Sequence, residues 1–487
     1  MSRDKEHHAL FSYEGTFKDF VGKACGGQKE SAAVCKMKKN RPACDLSSCP
    51  LDGAYLALSK IDGLTVLFNS PPGCCIGLWI LWGGAYSLKS VTGTKTHNRC
   101  VTLCTGMNEE DVVYGGEGKL YEALKDIATR LKPEYVCVLS SCCPGIIGDD
   151  IEKVVSRSRQ EFDIDVGWLD TSGFKSSYWP NGYDLAHDFM VDHMMSTALE
   201  VDEKTINILP YGNAASVDEH ECARLLEALG LTVQMPLSVP FTNIENIRTA
   251  PRARANTMMC MTFGWNFARK MQARFGTQAI HESHPLSIHF TTKWLKAVAK
   301  VYGLEKEADV LIESEVAAIS EELASLCEEL RGRRIAITAG HDKMPSLLAL
   351  ARELQMEPVY AGMVTYDDLV ETKLKEIAET FNYDFKMVMF PQTYDEVPIV
   401  KSLDPDVFIG PAGLTPKNVM MGIPSVSTHF NDFIGPYFGF RGVVTFGRQI
   451  LNSIRDPLPQ YAPENFVIKG AERVCGEAHF NRIMGCN

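Results

Sequence analysis

Cysteine dominates the chemistry available to this chain, which has 16 cysteines among 487 residues. Three of them lie in loops beside short apolar runs: Cys49 in SSCPLDGA, Cys74 in SPPGCC and Cys142 in SSCCPGIIGDD. Thiolates bind soft metals, so an iron–sulfur or other metal site is one interpretation. No CxxC spacing supports a zinc site or a ferredoxin-type cluster within one loop, and buried structural thiols are the alternative.

Two further residues combine a metal-binding type with apolar surroundings. Cys260 lies in TMMCMTFGW and His429 in THFNDFIGPY, each just beyond an apolar run. Taken singly, each residue is more typical of a protein core than of a metal site. Cys137, Cys222 and Cys327 stand in strand-like or helix-like patterns and are predicted to be core thiols.

The segments that must position these residues alternate between strand and helix patterns. Short apolar runs at 64–68, 100–104, 135–141 and 163–169 are separated by helical patterns at 119–132 and 149–162. The cycle restarts at 205 and again at 333, so we predict an α/β fold of three Rossmann-like parallel-sheet units. The predicted division is an extended N-terminal arm over 1–43 and units over 44–203, 204–332 and 333–487. The last unit carries a C-terminal extension.

In such sheets, ligands bind at the loops after the carboxyl ends of strands. Cys74 and Cys142 each follow a predicted strand directly, so we expect these two residues to converge at one sheet edge. No GxGxxG or GxxxxGK[ST] pattern is present, which argues against a nucleotide site in this chain.

Composition excludes several other classes of function. The net charge of −12 argues against nucleic acid as a partner, because phosphate binding requires a basic face. The sequence contains no run of 18 apolar residues, so it predicts no membrane span. The start MSRDKEHHALF is not typical of a secretory signal. We therefore expect a cytoplasmic protein.

Five segments together resemble the nitrogenase component 1 superfamily: CPLDGA, SPPGC, DVVYGGEGKL, SSCCPGIIGDD and HFNDFIGPYFGFRG, within residues 49–450. The resemblance implies a fold arranged around a buried metallocluster. It also implies that Cys49, Cys74 and Cys142 bind a P-cluster-like [8Fe–7S] electron relay. A homologous beta-type subunit then supplies the remaining ligands in an α2β2 assembly. Cys75 and Cys143 double two of these positions, and Cys74 and Cys142 are preferred.

The same resemblance implies a second, catalytic iron–sulfur cluster of the nitrogenase type. Its ligands are then Cys260 and His429, which makes this the alpha-type, catalytic subunit. An ATP-dependent iron protein is the implied electron donor. The heterometal and the organic ligand of the catalytic cluster stay open.

The chain departs from the nitrogen-reducing enzymes near the implied catalytic cluster. Trp179 and Tyr183 stand where those enzymes have a glutamine and a histidine, and Thr262 replaces an arginine. The AGHDKMP element, which includes His341, lacks the family's arginine. Gly413 falls at about the position of a lysine that helps hold an organic acid.

These departures make the surroundings of the implied catalytic cluster more apolar. The candidate residues that line its cavity are Trp179, Tyr183, Phe263 and Trp265. Among the relatives, the pattern is most similar to methylthio-alkane reductase, which cleaves C–S bonds of small methyl thioethers to methanethiol and a hydrocarbon. Tyr183 and His341 are the candidate proton donors. A nitrogenase of altered substrate range and a cluster-assembly scaffold are the two alternatives. The histidine at 429 argues against the scaffold.

Overall fold

The computed structural model describes residues 14–24, 49–78, 100–176, 179–197, 199–210, 216–236, 242–365, 371–381, 383–411, 414–428 and 434–456. Helices and parallel sheets alternate through these ranges, so the predicted α/β class is confirmed. The chain divides into two compact units. One comprises Ser47–Ser283 with Leu295–Ala308, and the other comprises Met1–Leu46, His284–Trp294 and Asp309–Asn487. The boundaries of the three predicted units stay a prediction.

Part of the predicted N-terminal arm is built onto a sheet. Strand β1 (Glu14–Thr16) and helix α1 (Phe17–Ala24) form its described portion. β1 pairs antiparallel with residues 386–388, and the Phe17 ring stacks on Phe385 at 4.7 Å between centroids. Because Phe17 is fully buried, this portion is held by the chain's own third sheet.

The first sheet carries the cysteine motifs. Its strands run parallel in the order β4-β3-β5-β6, as the alternating pattern predicts. Valine, leucine and isoleucine from the strands and from the helices α5 and α7 fill its core. π-helical turns at Ile127–Leu131 and Met190–Met194 continue two of the helices. The elements are α2 (Pro50–Leu58), β2 (Ile61–Asp62), β3 (Leu64–Asn69), α3 (Pro72–Leu78), β4 (Val101–Cys104), α4 (Glu109–Tyr114), α5 (Glu117–Asp126), β5 (Tyr135–Ser140), α6 (Cys142–Ile147), α7 (Ile151–Phe162), β6 (Val166–Asp170) and α8 (Pro180–Phe189).

The second sheet belongs to the same compact unit as the first. Its strands are parallel in the order β11-β10-β7-β8, and β2 pairs with β9 as a separate two-residue ribbon. The elements are β7 (Asp202–Leu209), α9 (Ser216–Ala228), β8 (Thr232–Pro236), β9 (Thr242–Asn243), α10 (Ile244–Thr249), β10 (Ala253–Met258), α11 (Met261–Phe275) and β11 (Gln278–Ala279). Two further helices, α12 (Ile288–Tyr302) and α13 (Glu305–Leu330), each have residues in both compact units.

The third sheet belongs to the other compact unit, and its order is β1-β14-β13-β12-β15-β16. Every pairing in it is parallel except that of β1. The elements are β12 (Arg334–Ala339), α14 (Met344–Glu353), β13 (Glu357–Met363), α15 (Glu371–Phe381), β14 (Lys386–Met389), α16 (Thr393–Ser402), β15 (Val407–Gly410), α17 (Thr415–Met420), β16 (Ser425–Ser427) and α18 (Gly439–Arg455). Among the described residues, no helix is both long enough and apolar enough to cross a membrane.

Two of the sequence motifs bind each other beside the cysteine loops. The Asp149 carboxylate of IGDD accepts the Gly116 N–H of GGEG at 3.0 and 3.1 Å. A Cβ at Gly116 would lie 2.9 Å from that carboxylate, so a larger residue cannot take the glycine's place without a shift. Asp150 then caps α7 by accepting the Lys153 N–H at 3.0 Å. The acidic motif therefore fixes the loop that carries Cys142.

Candidate functional site

Three cysteines, Cys49, Cys74 and Cys142, lie at the carboxyl edge of the first sheet, and we call them the three-thiol edge. Cys49 precedes α2, Cys74 lies in the first turn of α3 after β3, and Cys142 begins α6 directly after β5. A Cβ built on Gly173, after β6, would lie 3.4 Å from Cys49 Cβ and 3.5 Å from Cys142 Sγ. The glycine thus leaves space between two of the thiols.

The electrostatics of the three-thiol edge favour a bound cation. Burial, and then the charges of Cys49 and Cys142, raise the pKa of the Cys74 thiol. The two neighbouring thiols therefore oppose the ionisation of Cys74, and a metal that binds all three as thiolates would supply positive charge. The Gly173 N–H already donates to Cys142 Sγ at 3.1 Å, a contact typical of thiolates that bind clusters. The residues present fit an iron–sulfur cluster.

Large apolar side chains surround the three-thiol edge on the protein surface. Ile76 of α3, Ile146 of α6 and Phe174 beside Gly173 are 51%, 68% and 69% exposed. Tyr114 of α4 is 87% exposed, and α4 packs against α6. An apolar patch of this kind is typical of a protein interface, because water is displaced when a partner covers it.

The two doubled cysteines have different surroundings from their neighbours. The Cys104 side chain, at the end of β4, is the largest cause that raises the pKa of the Cys75 thiol. Burial, followed by the nearby charges of Asp149 and Cys142, raises the pKa of Cys143. Cys75 thus lies near a different thiol, whereas Cys143 lies beside a carboxylate.

An aromatic wall formed by Trp179, Tyr183 and Phe263 lies in the same compact unit. The Tyr183 ring lies 4.6 Å from Phe263 and 5.8 Å from Trp179, and Trp179 lies 5.0 Å from Phe263 between centroids. Tyr183 is completely buried. Trp179 and Tyr183 lie at the start of α8, and Phe263 lies in the first turn of α11. These three predicted lining residues therefore do come together.

Cys260 occupies the position at which α11 begins. Its extended backbone, with φ −148° and ψ 126°, ends the segment after β10, and its carbonyl accepts the Gly264 N–H at 2.9 Å. Cys260 is 3% exposed, and Met258, Met259 and Met261 beside it are buried too. A thiolate here gains from the positive end of a 15-residue helix, whereas burial opposes its charge until a cation binds it.

Close contact between α2 and α8 joins the three-thiol edge to the aromatic wall. A Cβ at Gly182 in α8 would lie 1.9 Å from the Pro50 carbonyl oxygen of α2. A Cβ at Gly53 in α2 would lie 2.0 Å from the Trp179 carbonyl oxygen. Only glycine allows the two backbones to approach so closely. The helix that follows Cys49 therefore packs directly on the helix that carries Tyr183.

His187, which was not among the residues predicted from the sequence, lies next to Tyr183 of the aromatic wall. Its ring stacks on Phe267 at 4.3 Å and lies 5.7 Å from Tyr183. Burial, assisted by the charge of Lys60, lowers the pKa of His187 to about 3, so the ring is neutral at physiological pH. The signal in the sequence was its position four residues after Tyr183, which places both side chains on one face of a helix.

His341 belongs to the other compact unit, in a buried polar group of its own. Its Nδ1 lies 2.8 Å from the Thr365 hydroxyl. Next to it, the Asp342 carboxylate accepts the Lys373 ammonium at 3.1 Å and lies 3.9 Å from His284 Nδ1. Burial lowers the pKa of His284 to about 3. The sequence pointed to His341 and Asp342 but not to His284 or Lys373.

His429 and Gly413 lie outside the described residues. Trp265 packs edge-on against His281 at 4.6 Å between ring centroids. As predicted, Cys137, Cys222 and Cys327 are buried.

Parallel sheets in an α/β fold, together with a set of thiols at one sheet edge, are typical of a class of cluster-binding redox proteins. The family described as nitrogenase component 1 type oxidoreductase matches residues 49–455, and the chain belongs to that family. Members of this family bind iron–sulfur clusters, and they pair with a beta subunit and an iron protein.

The similar proteins include both a cofactor biosynthesis protein and a nitrogenase subunit. The chain is 28% identical over 437 residues to the nitrogenase iron-molybdenum cofactor biosynthesis protein NifE of Methanococcus maripaludis, covering 89% of this chain and 88% of that protein. It is 24% identical over 458 residues to the nitrogenase molybdenum-iron protein alpha chain of Clostridium pasteurianum, covering 82% and 84%. The solved structure of nitrogenase Cp1 at pH 6.5 superposes with a TM-score of 0.73 at 22% identity, over 85% of this chain and 90% of that one. This last likeness supports the fold.

Proposed function

We propose that this chain is the catalytic, alpha-type subunit of a nitrogenase-like reductase that cleaves C–S bonds of small methylthio-alkanes. The observation that carries the proposal is the aromatic wall beside the helix that begins at Cys260. An aromatic surface made of the buried Tyr183 and the partly exposed Trp179 and Phe263 suits a small, poorly polar substrate. It offers little to a substrate that needs hydrogen bonds or charges.

In this proposal, Cys49, Cys74 and Cys142 hold one half of an eight-iron electron relay. The proximity of these thiols, the exposure of Cys74 and the Gly173 N–H donor support the assignment. A half-filled cluster exposes reactive thiolates, so a partner must complete it. The apolar patch around the three-thiol edge supports a homologous beta-type subunit as that partner, in an α2β2 assembly.

Local contacts also support the choice within each cysteine pair. Cys75 lies near Cys104, which leaves Cys74 as the thiol that faces Cys49 and Cys142. Cys142 receives the Gly173 N–H and adjoins Cys49 through the space at that glycine. Cys143 lies near the Asp149 carboxylate, whose negative charge opposes a thiolate.

Cys260 is proposed as one ligand of the catalytic cluster, and His429 as the other on the strength of the family resemblance alone. The buried position of Cys260 at the start of α11 and its methionine neighbours support its part of the assignment. A cluster bound there supplies low-potential electrons to the substrate. The borderline imidazole and the soft thiolate both suit iron.

The proposed reaction takes two electrons and two protons. For dimethyl sulfide, one C–S bond breaks. The released methyl carbon takes up one proton to give methane, and the sulfur takes up the other proton to give methanethiol. An ATP-dependent iron protein would supply the two electrons. In this chain, the aromatic wall binds the methyl groups and excludes water, and the Tyr183 phenol is the proton donor that lies within it. His341, in its hydrogen bond with Thr365, is the second candidate donor.

The direct test uses the chain purified anaerobically with its partner subunit, and with an iron protein, ATP and a reductant. With dimethyl sulfide we expect methane and methanethiol in equal amounts, and with dinitrogen we expect no ammonia. Trp179→Gln, which restores the residue type of the nitrogen-reducing enzymes, is the matched variant and should lose C–S cleavage. Ammonia without methanethiol would instead identify a nitrogenase of altered substrate range.

A second candidate function is a cluster-assembly scaffold. It is favoured by the 28% identity over 89% of the chain to NifE, a protein named for cofactor biosynthesis. A scaffold should pass its cluster to a cluster-free acceptor, so iron is transferred stoichiometrically and no thioether turns over. Repeated turnover with retention of iron separates the enzyme from the scaffold.

A further inference from the structure

A cavity of about 610 Å³ lies along β6, the strand at one edge of the first sheet. Ligand cavities commonly enclose about 300–1,000 Å³, so this one is large enough for a small molecule. It is separate from the three-thiol edge, because Tyr135 in its lining begins β5, whereas Cys142 follows the other end of that strand. The lining includes the polar side chains of Tyr135, Arg159 and Asp165 and the apolar side chains of Phe189, Met194 and Ile244.

Backbone contacts hold Arg159 and Asp165 close to Tyr135. The Val136 N–H of β5 donates to the Asp165 carbonyl at 2.8 Å, so Tyr135 and Asp165 lie side by side where β5 and β6 begin. The Arg159 Nε–H of α7 donates to the Val166 carbonyl at 2.6 Å, which fixes the guanidinium beside the residue after Asp165. The cation, the phenol and the carboxylate are therefore gathered in one part of the cavity.

These three side chains have hydrogen-bonding capacity that the protein does not use. In the described part of the chain, the two terminal nitrogens of Arg159, the Asp165 carboxylate and the Tyr135 hydroxyl make no hydrogen bond or ion pair. Burial raises the pKa of Tyr135 to about 12, so the phenol keeps its proton and can donate it to an acceptor. A cationic donor, a neutral donor and an anionic acceptor thus face one cavity without binding one another.

The other acidic and basic side chains of opposite sign in the lining already have partners. The Glu152 carboxylate accepts the Trp168 indole N–H at 2.6 Å and the Ser156 hydroxyl at 2.7 Å. Arg248 forms an ion pair with Glu245 at 2.9 Å. One cation, Arg159, and one anion, Asp165, are left for a ligand.

The apolar part of the lining is built around the Phe189 ring. A Cβ added to Gly167 would lie 2.4 Å from two atoms of that ring, so the missing side chain lets the ring lie against the backbone of β6. The His193 ring lies 5.0 Å from Phe189 between centroids. Phe189, Met194 and Ile244 are 5%, 8% and 4% exposed, so they offer a surface from which water is largely excluded. Such a surface suits a hydrocarbon group.

We propose that this cavity binds a zwitterionic α-amino acid with an apolar side chain. The ligand's carboxylate accepts hydrogen bonds from the Arg159 guanidinium and the Tyr135 hydroxyl, and its ammonium group donates to the Asp165 carboxylate. Its side chain packs on Phe189 and Met194. Asp165 repels an anion that lacks the ammonium group, and Arg159 repels a cation that lacks the carboxylate, so the two charges together select a ligand that carries both.

The test uses the full chain, purified anaerobically with its partner subunit, in calorimetric titrations with L-phenylalanine, L-leucine, 3-phenylpropionate and phenethylamine. 3-Phenylpropionate lacks the ammonium group of phenylalanine, and phenethylamine lacks its carboxylate. We expect both amino acids to bind. Each analogue should bind at least about tenfold more weakly than L-phenylalanine, because each lost charge removes a charge-assisted hydrogen bond. Hydrogen exchange, followed by mass spectrometry, should slow in residues 159–168 when L-phenylalanine is bound. The titrations need no turnover, so they do not depend on the proposed function.

Two variants with matched controls locate the site. Arg159→Gln should weaken the binding of L-phenylalanine by about tenfold, whereas Arg157→Gln, on the same helix but outside the lining, should leave it unchanged. In Asp165→Asn, L-phenylalanine and 3-phenylpropionate should bind alike, because the group that recognises the ammonium is gone. Asp163→Asn is the control for that variant and should keep the native preference. Asp163 has a φ of 50°, a conformation that asparagine also adopts.

Failure of both amino acids to bind at millimolar concentration would overturn the proposal. Equal binding of L-phenylalanine and 3-phenylpropionate by the native chain would overturn it too, because Asp165 would then have no part in recognition. Both results come from the native chain alone, so they decide the question even where a substituted chain folds poorly. Slowed hydrogen exchange that is confined to segments outside the cavity would also contradict the assigned site.

Discussion

Replacing Gly182 by alanine tests the contact that joins the three-thiol edge to the aromatic wall. The added Cβ would lie 1.9 Å from the Pro50 carbonyl oxygen and 2.5 Å from the Ala54 nitrogen, both of them backbone atoms of α2. Ordinary contact begins at 3.4 Å, so α2 and α8 must separate by about 1.5 Å. Overpacking costs about 1–3 kcal/mol, and a clash with backbone atoms, which cannot rotate away, lies at the upper end of that range. Alanine's helix propensity alone would act in the opposite direction, by about 1 kcal/mol.

Calorimetry of the purified chain measures the effect, since each kcal/mol shifts the unfolding midpoint of a domain of 150–250 residues by about 2–4 °C. We expect the midpoint of Gly182→Ala to fall by several degrees. Gly118→Ala is the control, because a Cβ added to that helical glycine would have nothing within 4 Å of it and should cost no stability. Equal midpoints for Gly182→Ala and the native chain would refute the backbone contact and the coupling drawn from it.

Three other predictions follow from the site. Cys142→Ala should lower the iron content of the interface cluster and slow electron transfer, whereas Cys143→Ala should change neither. Trp179→Ala should raise the KM for thioethers several-fold by opening the aromatic wall, measured as methanethiol formation against substrate concentration. His187 has a pKa of about 3 in the folded chain and 6.5 as its ordinary value, so the unfolded chain binds one more proton between these pH values. Stability should therefore fall by about 1.36 kcal/mol for each pH unit of acidification through that window, and His187→Phe, which keeps the stack on Phe267, should remove that contribution.

Strand and helix periodicity predicted most of the fold. The apolar run at 64–68 is β3 at Leu64–Asn69, and the helical pattern at 149–162 is α7 at Ile151–Phe162. These elements could be predicted because burial gives the apolar residues of one continuous segment a regular spacing. The antiparallel pairing of β1 with β14 was not predicted, because it joins residues some 370 positions apart and leaves no local pattern.

The site was predictable where a residue type carries the chemistry by itself. The alternation of elements implied that Cys74 and Cys142, which follow β3 and β5, lie at one edge of the sheet. It did not imply the position of Cys49, which precedes α2 and lies beside Gly173 and Cys142. The contact at Gly182 depends on the distance between α2 and α8, which are far apart in the sequence. Such distances are set by packing, so the residues alone did not reveal them.

The central claim, that this chain holds two separate clusters, is tested most directly by Cys260→Ala purified anaerobically with the partner subunit. Iron analysis and low-temperature electron paramagnetic resonance should show the catalytic-cluster signal lost and the interface-cluster signal intact, with His429→Ala giving the same result. Cys49→Ala is the reciprocal control and should lose the interface signal. A full catalytic-cluster signal in Cys260→Ala, or the loss of both signals together, would contradict the account.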